Sequence, residues 1–131
     1  MLGKTDLIVA EWIKKAHEDE LVALSILKHQ DAPQSMIAFH AQQMAEKLFK
    51  ACLVHHTKAY PKIHPLDTLW ELCKDQDPTF EAIKEDALLL TSFYGPTRYP
   101  GDVVELTWPE AKKAFESAKN IKDFVLTKIS G

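Results

Sequence analysis

From Asp6 to about Gln30 no proline occurs, and the apolar residues Ile8, Trp12, Ala16, Ala23 and Leu27 recur at helical steps with charged residues between them. Apolar positions three and four apart line one face of a helix, whereas a half-buried strand needs strict alternation. A second such run goes from Met36 to about Thr57, with a stripe of Ile37, Met44, Leu48 and Ala51 that Phe39, Phe49 and Leu53 widen. Between the two lies only DAPQS, residues 31–35, in which Asp31 and Ser35 are the candidate caps of the second helix. Two long amphipathic helices joined by so short a link fold back on each other, because the second has nowhere else to bury its stripe.

The rest of the chain continues the pattern. KAYPKIHP, residues 58–65, breaks the helix with two prolines, and Pro65 is placed to open a short one through Leu66, Leu69, Trp70 and Cys73. In DQDP, Asp77 is the candidate N-cap of a fourth helix with Pro78 at its first position. Phe80, Ile83, Ala87, Leu90 and Tyr94 share a face there, and Gly95-Pro96 ends it. Thr107-Trp108-Pro109-Glu110 has the form of a capping box, and the helix it starts runs to about Lys128. Its stripe is Ala111, Ala114 or Phe115, Ala118, Ile121 or Lys122, and Val125. No useful stretch alternates with period two, although VVEL at 103–106 is suited to a short extended segment. The expected fold is all-α, a single-domain up-and-down antiparallel bundle of four to five helices over residues 1–131, without internal repeats.

Composition narrows the function. A chain of 131 residues with 46% hydrophobic and 27% charged residues can bury a core without staples. Its two cysteines, Cys52 and Cys73, form no C-x-x-C pair, and we expect both to be reduced thiols in a cytoplasmic protein. Neither a signal peptide nor an apolar run of membrane-spanning length is present in the sequence. A net charge of −3 gives no long-range attraction for nucleic acid. Glycine-rich phosphate loops, H-E-x-x-H and the E-x-x-H pairs of di-iron bundles are all missing. Cys52 and His56 sit one helical turn apart, near His55 and His64, but a structural zinc wants four such ligands. No metal and no cofactor is expected.

Other residues carry more information. Asp19 falls on the apolar side of the first helix, between Ala16 and Ala23, and a buried carboxylate needs a partner. His40, on the apolar side of the second helix, and Arg98 are the candidates. Gln43, Glu46, Lys47 and Lys50 stand at helical neighbour spacings, so that Gln43, Lys47 and Lys50 can cluster. Arg98 is the chain's one arginine beside fifteen lysines, set in the turn-rich YGPTRYPGD at 94–102.

Taken in order, FHAQQMAEKLFKACLVHH at 39–56, the Y-P-x-x-H turn from Tyr60 to His64, and TRYPGD at 97–102 resemble the small prokaryotic HEPN domains over nearly the whole chain. In that family a helix with the pattern A-x-Q-x-x-E-K-x-x-K-A, here Ala41 through Ala51, follows a first helix with an inward acidic residue, here Asp19. A histidine follows a proline turn, here His64, and an arginine, tyrosine and proline follow helix four, here Arg98, Tyr99 and Pro100. The resemblance implies a helical bundle that forms a homodimer and acts with a small nucleotidyltransferase protein as a two-component, toxin-antitoxin-like system.

Some HEPN proteins are metal-independent ribonucleases that use an arginine followed after four to six residues by a histidine. All six histidines of this chain precede Arg98, so that motif cannot be written. The expected function is therefore a non-catalytic nucleotide-binding and assembly module, with RNA as a target less favoured. Arg98, Tyr99, Asp19, His40, Lys47, Lys50 and His64 are its candidate ligand-binding residues. Arg98 offers a bidentate phosphate or carboxylate contact that lysine does not reproduce, and Tyr99 offers a face for a base. The alternatives are a ribonuclease with a noncanonical site around Arg98 and a protein scaffold without a ligand.

Overall fold

The computed structural model describes residues 3–59, 62–93 and 106–130. Within them lie α1 (Lys4–His29), α2 (Gln34–Thr57), α3 (Leu66–Gln76), α4 (Lys84–Ser92) and α5 (Trp108–Ser130), with a 3-10 turn at Pro78–Ile83 leading into α4. The described residues contain no strand, and the fold is the expected all-α bundle. Tyr94, Gly95, Pro96 and Val103 to Glu105, on which the expected end of the fourth helix and the extended segment rest, lie outside the described residues.

The helix ends follow local chemistry, with two departures from the spacing. α1 begins at Lys4, where the Gly3 amide donates to the Asp6 carboxylate at 3.2 Å. Neither Asp31 nor Ser35 caps α2, because the helix starts at Gln34 after an extended Pro33 and takes Ser35 into its first turn. Asp77 does cap, accepting from the Thr79 amide at 3.0 Å and its hydroxyl at 2.6 Å. The six residues after it wind as a 3-10 turn, however, and not as the start of an α-helix. Side chains three apart eclipse in that winding, and it sends both Phe80 and Ile83 into the core.

The capping box forms as written: the Glu110 amide donates to Thr107 Oγ1 at 3.2 Å, and the Thr107 amide to Glu110 Oε1 at 3.1 Å. Thr107→Ala is expected to lower the unfolding free energy by about 1 kcal/mol, with Thr107→Ser close to neutral, in urea titrations.

α2 is the central element. It touches α1, α3, α4 and α5, and thirteen of its 24 residues are buried against six of the 26 in α1. Small side chains allow this close approach: Ala38, Ala41, Ala45 and Ala51 on α2 meet a bundle that presents Ala16 and Ala23 from α1 and Ala111, Ala114 and Ala118 from α5. Larger side chains then fill the space between helices, above all Phe49 and Phe80, with Phe124 edge-on to Phe80 at 4.9 Å. On α5 the core takes Ala114 and Ile121, while Phe115 and Lys122 stay half-buried. On α1 it takes Val9 and leaves Ile8 outside, and on α2 Phe39 is 42% exposed and does not widen the stripe. No described helix is long and apolar enough to cross a membrane.

Candidate functional site

The buried carboxylate of Asp19 is met from α2 on both oxygens. Nδ1 of His40 lies 2.9 Å from Oδ1, and Lys47 Nζ donates to Oδ2 at 2.5 Å. The helical hairpin brings this about: α1 and α2 run antiparallel, so one turn of α1 faces the two turns of α2 that carry His40 and, seven residues on, Lys47. With both carboxylate oxygens accepting, the His40 ring donates through Nδ1 and turns Nε2 away.

Further round α2, Lys50 is only 4% exposed. Its Nζ donates to Glu46 Oε2 at 3.2 Å and lies 5.3 Å from the centre of the Trp12 ring, so one carboxylate and one aromatic face hold a cation that burial alone would disfavour. His64 approaches the same Glu46 oxygen at 3.6 Å from just before α3, with its side chain 77% exposed. The spacing of the helix-two pattern thus has a physical meaning, since Lys47 serves α1 and Lys50 serves Glu46. They point to different partners and do not form one cluster with Gln43.

A second buried carboxylate has no counterpart among the sequence expectations. Glu20, next to Asp19, accepts from Lys122 at 2.5 Å and Lys119 at 3.0 Å on α5, and His17 Nδ1 lies 3.2 Å away. Burial pushes its carboxyl up, but the hydrogen bonds from Lys122, Lys119 and His17 outweigh that and hold it down at about 2. The hydrogen bond with Glu20 in turn holds Lys119 above the ordinary lysine range, against its slight burial. Because the folded value is depressed, this contribution is fully present above the ordinary value of 4.5 and is lost as pH falls toward about 2. Glu20→Gln is expected to cost about 2 kcal/mol near neutral pH, screened by the exposed Lys119, and the gap from wild type should close across that acid window in urea titrations.

Other sequence candidates fall apart or lie elsewhere. Cys52 is buried while His56 is exposed, so the two do not converge. Among the described residues no three histidine, cysteine or acidic side chains come together around a common point. Cys52 and Cys73 are free and buried; Cys73 donates to the Phe49 carbonyl at 3.5 Å, and its contact with Cys52, together with burial, pushes its thiol up. Arg98, Tyr99 and Pro100 lie outside the described residues.

The arrangement is a helical bundle whose central helix carries a polar edge of charge pairs, made with a neighbouring helix or within the edge itself. The chain matches the HEPN domain family over residues 9–129, and it belongs to that family. Among solved structures it is similar to TT1696 from Thermus thermophilus, at 26% identity and a TM-score of 0.76, and to ST0689, an archaeal HEPN homologue, at 26% identity and a TM-score of 0.74. Each alignment covers 92% of this chain and 97% of the other. No curated protein matches.

Proposed function

We propose that this HEPN domain is a non-catalytic, nucleotide-binding assembly module that acts in the cytoplasm as a homodimer with a small nucleotidyltransferase. The observation that carries the reading is the pairing on α2: Lys47 is bound to Asp19 and Lys50 to Glu46. Both cations are committed to carboxylates inside the protomer, which makes the helix edge a charge-balanced platform and leaves the anionic part of a nucleotide to Arg98. A guanidinium suits that role through its two parallel donors, and no histidine follows it to complete a nuclease pair. Tyr99 supplies a stacking face, while His40 and His64 flank the platform.

Exposed apolar side chains support the homodimer. Leu21, Val22 and Leu24 on α1 and Met36 and Phe39 on α2 all stand in contact with water in the single protomer, and covering exposed apolar side chains favours association. Light scattering should give twice the mass of the chain, and gel filtration with the small nucleotidyltransferase should give a joint peak. A monomer, or two separate peaks, contradicts the assembly reading.

One observation favours a ribonuclease instead. The contact between His40 Nδ1 and Asp19 orients a ring whose Nε2 faces away, which is how a carboxylate positions a histidine for proton transfer. On that alternative, structured RNA is cut in the presence of EDTA, and both His40→Ala and Arg98→Ala abolish the cutting. Intact RNA under those conditions upholds the binding module.

A further inference from the structure

The sequence holds two cysteines, one on α2 and one on α3, and the fold brings both to one place. Cys73 Sγ donates to the Phe49 carbonyl at 3.5 Å. Phe49 and Cys52 are three residues apart on α2 and share a face of that helix, so the Cys73 sulfur rests on the turn that carries Cys52. The two thiols meet there, and their contact is the first cause of the upward push on Cys73. Both residues belong to the main core, at 0% and 1% exposed. Alanine would fill such a spot without a reactive group, as Ala41 and Ala45 do elsewhere on α2.

Closed in this way, the pair is inert. The attacking species is a thiolate, and apolar burial disfavours it. α3 is the element whose movement releases both sulfurs. It has 11 residues, of which Leu66, Leu69, Trp70 and Cys73 are buried, and a helix so short has little stability of its own. Elements of this kind open locally at a lower cost than the whole fold. When α3 lifts from α2, both thiols reach water together.

We infer that Cys52 and Cys73 are a latent disulfide pair, closed by a small-molecule disulfide such as oxidised glutathione when α3 opens, and that the new bond then staples α3 to α2. The thiolate of one cysteine attacks a sulfur of the small disulfide, giving a mixed disulfide and one free small thiol. The second cysteine, its proton lost to solvent, attacks the protein sulfur of that bond and expels the second small thiol. The protein gives up two protons and two electrons, and the small disulfide takes up both. The inference is separate from the nucleotide reading above and stands or falls without it.

Intact mass, measured under denaturing conditions after the native full chain has been incubated with oxidised glutathione, tests it. The chain should lose the mass of two hydrogen atoms, keep no thiol open to iodoacetamide, yield a peptide cross-linked through Cys52 and Cys73 on digestion, and revert fully with dithiothreitol. Its melting temperature should rise by roughly 5 °C or more, because the cross-link restricts the unfolded chain. Cys52→Ala and Cys73→Ala should each stop at a single glutathione adduct. The inference is overturned if both thiols remain alkylatable, if two glutathione adducts persist, if the bond joins two chains, or if the oxidised chain melts no higher than the reduced one. Cross-linking that begins only above the urea midpoint of global unfolding overturns it as well, since the pair is then a packing contact and nothing more.

Discussion

Phe80→Ala is expected to lower the unfolding free energy by about 4 kcal/mol. The side chain is fully buried and stands where three elements meet: Phe49 from α2 at 6.3 Å, Phe124 from α5 at 4.9 Å, and the 3-10 turn that carries it. Its own backbone is anchored as well, because the Phe80 carbonyl accepts from the Trp70 indole N–H at 2.9 Å. The site therefore has little freedom to collapse around the void, which is the condition under which a cavity costs most. Phe80→Leu, which keeps most of the volume, should cost less than half as much. A loss below about 1 kcal/mol for the alanine variant in urea titrations would show that the 3-10 turn is not packed as described.

The second large effect is at Asp19. Asp19→Ala should cost about 3 kcal/mol, because it strands Lys47 and His40 against a buried face of α1 without an acceptor. Lys47→Met alone should cost less, since His40 still satisfies one oxygen of the carboxylate. The double substitution Asp19→Ala with Lys47→Met should recover part of the loss, because much of the expense lies in leaving one member of the pair unmatched and not in lacking the pair. A coupling of at least about 1 kcal/mol in this cycle is expected. Strict additivity of the two single effects would mean that the ion pair is only a surface contact.

Much of the bundle was legible because helix periodicity and end signals are local. The stripes placed α1, α2 and α5 to within a few residues, and Thr107 with Glu110 marked the start of α5 through contacts three residues apart. His40 could be offered from the sequence as one candidate partner of Asp19, beside Arg98, because a short link forces α1 and α2 into a hairpin, whereas Lys47 as the second partner was not anticipated. Glu20 could not be matched in this way. Its partners Lys119 and Lys122 lie about a hundred residues away in sequence, and only packing of α5 against α1 brings them near. The same limit applies to Lys50, whose burial depends on Trp12 of another helix, and to Phe39, which periodicity alone assigned to the wrong side. The 3-10 winding after Asp77 was also hidden, because Asp-Pro marks the start of a helix without saying how tightly the helix winds.

The binding reading places the anion-holding group at Arg98, since the described lysines of the α2 platform are already paired. Isothermal titration of the protein with ATP tests this most directly, alongside Arg98→Ala and Arg98→Lys. The account predicts saturable binding to wild type, a loss of about tenfold or more in the alanine variant, and only partial rescue by lysine, whose point charge lacks the bidentate fork. Absence of saturable heat with wild type, or full affinity in Arg98→Ala, would contradict it.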